Sequence, residues 1–375
     1  MASEMLYPIL PIYLQSIGFS IVLIGVLEGF AEAMAGLSKG YFGKLSDNSG
    51  KRVPFVQLGY TISALSKPLM AVLILPFWIF LLRTLDRLGK GIRTGARDAI
   101  LSEEATPQTK GKIFGFHRSM DTLGAVIGPG LALVYLYYYP ENYKTLFYFA
   151  AVPGVLAILA TFYLKDKRDV VIIRKRKTSF FSFLNYWKES PEMYRKVVLG
   201  LLIFALVNSS DVFLLLKAKQ AGIDDPMIIG FYIFYNLIYA IFAFPLGVLA
   251  DKIGLPIIYI IGLLLFTSVY FSMANALDLP SYFISFFIYG IFAATTDGIS
   301  KAWISNIVKT KDTATAIGTY SGFQSICALL ASGWTGLVWF YFGSGPAFIA
   351  TGSVTLLVAL YFIILLPKRD KLQKV

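Results

Sequence analysis

The sequence predicts an all-α integral membrane protein of twelve helices, arranged as two six-helix halves related by a pseudo-two-fold axis. Three observations carry that prediction. The chain is 57% hydrophobic and only 15% charged, where a soluble domain carries about 25% charge. Its apolar residues fall in runs long enough to cross a bilayer, which takes roughly 20 residues each. One short signature also occurs twice, as Gly43-Lys44-Leu45-Ser46-Asp47-Asn48-Ser49-Gly50 and as Gly247-Val248-Leu249-Ala250-Asp251-Lys252-Ile253-Gly254. Both copies read G-x-L-small-D-x-x-G between two long apolar segments, as homologous helical halves require.

The twelve segments are expected at 3–19, 21–42, 53–74, 76–97, 112–138, 144–164, 197–218, 226–249, 255–275, 281–307, 313–341 and 346–366. They divide into a first half (1–164), a basic linker (165–196) and a second half (197–375). The loops 43–52, 98–111, 165–196, 250–254 and 308–312 and the tail 367–375 hold most of the flanking Lys and Arg. The positive-inside rule puts these in the cytoplasm. The expectation is a multi-pass protein of the cell inner (plasma) membrane, with central loop and C-terminus cytoplasmic. Phe180, Phe181, Phe183, Leu184, Tyr186 and Trp187 stand among the linker's basic residues, the pattern of an amphipathic helix lying on the membrane surface or of a tethered linker. Segment 1 has few apolar residues for a span. Ser3-Glu4-Met5-Leu6-Tyr7 resembles Ser210-Asp211-Val212-Phe213-Leu214 in the second half, where a helix starts well upstream. The first helix is therefore read as shortened at its N-terminus.

Several function classes are excluded. One cysteine and one histidine provide neither a disulfide framework nor a plausible zinc or iron site, so neither metal nor cofactor is expected. No G-x-x-x-x-G-K-[ST] loop is present, so ATP is not the energy source in this chain. No enzyme constellation surrounds Cys327. The formal charge of +12 sits at helix ends, which argues against nucleic acid. The expected partners are the lipid bilayer, a small-molecule substrate and protons, and the protein is read as a monomer.

Intramembrane charge points to function. An ionisable residue at mid-bilayer costs about 2.5–3.5 kcal/mol on insertion scales, so it faces a cavity or a partner. Segment 4 carries Arg83, Asp86, Arg87, Lys90, Arg93 and Arg97, within an arc of about 120° at helical spacing. Asp86 lies about 15 Å from the outer end, near the midplane. Five bases against one acid attract anions, unless acids on neighbouring helices pair with them. Glu28 and Glu32, one turn apart on segment 2, and Asp121 on segment 5 are such acids. Glu28 or Glu32 is also a candidate proton site. Asp121 lies one turn from His117, with Arg118 beside it, and is read as a proton-relay site or as part of an interfacial hydrogen bond. Asp211 follows the polar break Asn208-Ser209-Ser210, and Asp297 stands with Lys301 on segment 10. Lys67, before Pro68, is read as snorkelling or filling a kink, and the stripe Tyr232, Tyr235, Tyr239 as packing.

Twelve spans, a basic central loop and the 43–52 signature resemble the major facilitator superfamily. The loop resembles that family's G-x-L-A-D-R-x-G-R-K signature and departs from it at Ser46 and Asn48. The resemblance implies a cytoplasmic latch built from Gly43, Asp47, Gly50 and Arg52, echoed by Asp251, with Arg97 on the same gate. Gly124-x-x-x-Gly128-Pro129 resembles the family's glycine-proline motif, typical of proton-driven exporters. Arg87 with Gly91 partly resembles its helix-4 arginine motif, linked to proton transfer. Helices 1, 4, 7 and 10 line the central cavity in the family, which implies substrate or proton roles for Arg83, Asp86, Arg87, Lys90, Asp211 and Asp297. The resulting expectation is a secondary transporter working by alternating access. It would export a small organic solute against protons, and the helix-4 bases favour a solute with an anionic group. The alternatives are an uptake symporter or facilitator for an organic anion or sugar, a transporter-like membrane sensor, and a lipid-handling protein.

Overall fold

The computed structural model describes residues 1–7, 9–19, 21–166, 182–275 and 278–365. The regular structure among them is helical. In order it comprises α1 (Ala2–Leu6), α2 (Ile9–Ser16), α3 (Ile21–Ser49), α4 (Val53–Met70), α5 (Pro76–Glu103), α6 (Lys110–Tyr138) and α7 (Tyr143–Thr161). A 3₁₀ turn (Ser182–Asn185) leads into the short α8 (Tyr186–Glu189). Then follow α9 (Glu192–Ala205), α10 (Val212–Gln220), α11 (Asp225–Ile253), α12 (Leu255–Asn275) and α13 (Leu279–Ile307). A second 3₁₀ turn (Thr310–Asp312) precedes α14 (Thr313–Phe342), and α15 (Ser344–Leu365) ends the series. Seven of the described helices are long and apolar enough to cross a membrane by length and composition.

Local chemistry sets the boundaries. Proline stands in the first turn of α4, α5 and α11, where its missing N–H costs nothing. The last glycine of each repeat copy stops a helix. Gly50 has φ 64° and Gly254 φ 111°, a region that a residue with a Cβ rarely enters. The expected seventh segment is split. α9 ends at Ala205 and α10 starts only after Asp211, so Asn208, Ser209 and Ser210 lie in a non-helical stretch. Such a break is tolerated at membrane depth where protein or a cavity satisfies the backbone.

Two compact units emerge. Unit 1 comprises residues 1–104, 123–190 and 308–326, and unit 2 comprises 105–122, 191–307 and 327–375. In unit 1, α3 and α4 pack on α5, and α4 also packs on α7. Its apolar core includes Leu10, Leu14, Leu27, Ile79 and Phe147. In unit 2, α12 packs on α13 and α15, and α11 on α13. Each unit takes in the opening turns of one helix from the other half of the sequence: α14 in unit 1, α6 in unit 2. The linker reading falls partly on residues 167–181, and the tail reading on 366–375, both outside the described residues. The described end of the linker, 182–189, is a 3₁₀ turn plus one α-helical turn.

Candidate functional site

In unit 1 an ion-pair chain crosses three helices, α3, α4 and α5. Arg83 on α5 holds Glu28 of α3 with two bonds, Nε to Oε1 at 2.7 Å and Nη2 to Oε2 at 2.8 Å. Its Nη1 reaches Asp86 Oδ2 at 3.3 Å. Asp86 Oδ1 accepts from Lys67 Nζ of α4 at 2.7 Å and from the Ser63 hydroxyl. Lys67 also donates to the Ser63 carbonyl at 2.7 Å. This corrects the reading of Lys67 as a snorkelling side chain: it is buried and neutralises Asp86. The helix permits this because Ser63 and Lys67 are one turn apart and share a face.

One turn along α5, Arg87 Nε lies 3.6 Å from Glu32 and its Nη2 3.8 Å from Glu28. Both separations are too long for hydrogen bonds, and among the described residues the buried Nε has no hydrogen-bond partner. The accessible members of this set are the carboxylates. Glu32 is 48% and Glu28 30% exposed, against 9% for Arg87 and 6% for Arg83. Of the two readings of segment 4, Arg83 and Arg87 follow the paired one, with the α3 carboxylates Glu28 and Glu32 lying against them. Farther along α5, Arg93 lies 4.4 Å over the Tyr60 ring and Arg97 pairs with Asp98 at 3.0 Å. The Lys90 carbonyl accepts from the Thr94 hydroxyl at 2.6 Å.

Unit 2 carries a second polar set. Asp297 Oδ2 accepts from Arg118 Nη2 at 2.6 Å and from the Tyr239 hydroxyl at 2.8 Å. Arg118 Nη1 reaches Asp121 Oδ2 at 3.0 Å, so Asp121 pairs with Arg118. Asp211, at the start of α10, accepts from the Tyr235 hydroxyl. The tyrosine stripe on α11 packs as expected, with Tyr235 meeting the rings of Tyr232, Phe286 and Tyr289, and its members Tyr235 and Tyr239, four apart, also donate to Asp211 and Asp297 in turn.

Both signature copies, expected as loops, form the last turns of α3 and α11, and each places a carboxylate on the opening turn of another helix. Asp47 Oδ2 accepts the Thr315 N–H at 2.6 Å and its hydroxyl at 2.7 Å, at the start of α14. Asp251 accepts the Gly111 and Lys112 N–H groups, each at 2.7 Å, at the start of α6. Free N–H groups and the positive end of the dipole make a helix start a carboxylate site. The Asp47 site is the more elaborate. Arg52 lies 3.4 Å from Asp47, pairs with Glu103 at 2.9 Å and donates to the Thr310 carbonyl at 3.0 Å. Asp166 caps α4 through the Arg52 and Val53 N–H groups at 2.8 and 3.0 Å.

Glycine lets these helices meet. A Cβ on Gly43 would overlap the Ala314 carbonyl, and one on Gly318 the Lys39 carbonyl. In unit 2 a Cβ on Gly247 would overlap the Gly111 carbonyl, and one on Gly115 would lie 2.5 Å from the Ala243 carbonyl. The Gly247→Ala variant is expected to force α6 off α11 and loosen the Asp251 cap. Overpacking of this kind costs about 1–3 kcal/mol. Amide exchange at Gly111 and Lys112 should speed up roughly tenfold or more. Unchanged protection would show that the crossing absorbs the methyl group. The glycine-proline stretch has a similar use, since Cβ atoms on Gly124 and Gly128 would lie 2.7 and 2.9 Å from the Met1 and Met5 nitrogens of the first helix.

The family model of the Major Facilitator Superfamily matches residues 1–235 and 218–375. The chain belongs to this superfamily. An uncharacterized superfamily-type transporter of Methanocaldococcus jannaschii is 33% identical over 345 residues, covering 90% of this chain and 85% of that protein. Among solved structures, the human organic anion transporter TETRAN aligns with a TM-score of 0.78 at 16% identity, covering 96% of this chain and 95% of that one. The Escherichia coli fucose:proton symporter aligns with a TM-score of 0.79 at 12% identity, covering 98% and 95%. At such identities the likeness shows the fold alone.

This Major Facilitator Superfamily member is a multi-pass membrane protein of the secondary-transporter class. Its structure brings Glu28, Glu32, Arg83, Asp86 and Arg87 together in unit 1, and Asp121 and Asp297 together in unit 2. Asp211 sits apart from that pair, on Tyr235. Sequence reasoning gave Lys67, Tyr235 and Tyr239 only structural roles and did not single out Asp166. The spacing of Ser63 and Lys67 on one helix face, opposite Asp86, was the signal available for the first.

Proposed function

We propose that the protein is a proton-coupled secondary transporter of a small organic solute with an anionic group, working by alternating access. The observation that supports this best is Arg87, a buried base with an unfilled N–H next to the half-exposed Glu32. When Glu32 is ionised it competes for Arg87. When Glu32 takes a proton, Arg87 is free for a carboxylate or similar oxyanion. Proton and anion then assist each other's binding, a positive coupling of two ligands. Ligands that assist each other travel together, so the charge arithmetic favours symport, in the direction of uptake. The second reading is proton-driven export, favoured by the glycine-proline stretch. In this chain those glycines serve the approach of the first helix to α6, which a symporter needs equally.

The basic loops are assigned to the cytoplasm and the membrane to the inner (plasma) membrane, from the distribution of Lys and Arg. Asp47 and Asp251 are then paired latches on the cytoplasmic side, each holding the start of a helix from the other half of the sequence. The halves 1–164 and 197–375 rock around the midplane residues, with 165–196 as tether.

The test is proteoliposomes enclosing a pH dye, challenged with panels of organic anions and cations. Interior acidification on adding an anion outside supports symport, and alkalinisation supports exchange. Arg87→Lys should reduce the anion response about tenfold or more, since lysine lacks the bidentate fork. Glu32→Gln should leave anion binding intact and abolish the accompanying proton. A response to cations alone would overturn the anion reading.

A further inference from the structure

The described end of the linker is a 3₁₀ turn and one α-helical turn. It is packed into unit 1. Phe183 is 2% exposed, and Tyr186, one turn on, is also buried. The Phe183 ring occupies a notch over the crossing of α3 and α14. A Cβ added to Gly40 of α3 would lie 2.5–2.7 Å from three ring atoms, and one on Gly322 of α14 would lie 3.9 Å from the same ring. Trp187 meets Phe323 of α14 edge-on, with ring centroids 6.5 Å apart. The only residue type that leaves room for this ring at position 40 is glycine, because any side chain begins inside it.

We propose that residues 182–189 are a strap across the α3–α14 crossing that restrains opening of the cytoplasmic side. The inference rests on the alternating-access reading, in which α3 and α14 part there. The restraint is additional to the Asp47 cap and acts by a different force. The cap is polar and local to one helix turn, whereas the strap is apolar and touches both helices at once. A buried ring that contacts two elements loses its cover when they separate, so its burial favours the joined state. At the related α6–α11 crossing, the nearest neighbours of Gly111, Gly115 and Gly247 all belong to the two helices themselves. Movement of the linker is thereby tied to the α3–α14 crossing, which makes it a means of regulating opening without touching the solute site.

The experiment uses the full chain in lipid nanodiscs, with spin labels at Ser49→Cys and Lys309→Cys in a Cys327→Ser background. Pulsed dipolar spectroscopy then reads the separation of the α3 and α14 ends. Phe183→Ala with Trp187→Ala should raise the ratio of long to short distances about tenfold or more. Gly40→Ala, which expels the ring while leaving it in the sequence, should do the same. Phe183→Leu should keep most of the restraint, and Leu184→Ala, at an exposed position, should change nothing. Asp47→Ala provides an opening that does not involve the strap. If Asp47→Ala lengthens the distance and the strap variants do not, the strap is overturned and alternating access stands. If no variant lengthens it, both fall.

Discussion

Lys67→Met is expected to destabilise the protein by about 3–5 kcal/mol, the usual cost of leaving one member of a buried ion pair alone. Lys67 and Asp86 have side chains 3% exposed, and their charged atoms are 2.7 Å apart. Without the ammonium, Asp86 keeps the Ser63 hydroxyl and Arg83 at 3.3 Å, but Arg83 is already committed to Glu28. Asp86→Leu should cost a similar amount, because Lys67 then keeps only the carbonyl and hydroxyl of Ser63. The double variant Lys67→Met with Asp86→Leu should recover most of the loss, since an apolar pair of similar volume often replaces a buried ion pair without penalty. The measurement is unfolding of the purified protein in mixed micelles, arranged as a double-mutant cycle. Single variants as stable as the original would show that the pair does not hold α4 on α5. A recovered double variant that has also lost transport would separate a role in coupling from one in stability.

The latch proposed at Asp47 is expected to weaken as the pH rises from about 4 to about 7. Burial pushes this loop carboxyl from 3.8 up to about 7, and Asp312 pushes the same way. Arg52 and the two Thr315 hydrogen bonds pull it down, without overcoming burial. The nearby cavity is also lined by Glu103, Asp166 and Lys311. Once the loop and α14 separate, water reaches the carboxyl and its affinity for the proton returns to the ordinary carboxylate value. The latched state thus binds the proton more tightly, so protonation favours latching. The advantage is complete below about pH 4, is lost progressively as pH rises, and is gone above about pH 7, a span on the order of 4 kcal/mol. Exchange of the Thr315 amide, corrected for its intrinsic rate, should speed up across that window. Asp47→Asn should remove the slope. Equal slopes in both proteins would mean that another group titrates.

Much of the fold was legible because a bilayer imposes simple rules. Hydrophobic runs of the right length, separated by basic loops, leave few alternatives to a helical bundle. The repeated glycine-aspartate signature placed the loops in register. The break before Asp211 was visible as three polar residues in an apolar run. Glu28 and Glu32 were visible as partners for segment 4, because one-turn spacing puts them on a single face. The bases of segment 4 shared an arc, and so their common orientation was visible too.

The sequence by itself determined the helical membrane fold, the two-fold repeat and the short set of ionisable residues at membrane depth. These follow from hydropathy, helical periodicity and the cost of charge in hydrocarbon, all of which are local along the chain. Only the tertiary structure decided the partners. Helix packing brings Lys67 to Asp86, Tyr239 to Asp297 and Asp47 to the start of α14, and it buries Phe183 over Gly40. It also decides which member of each pair faces solvent, so that Glu32 is exposed where the helical wheel showed bases. A side chain's partner depends on which faces of separate helices meet, and that is set by close packing between segments far apart in sequence.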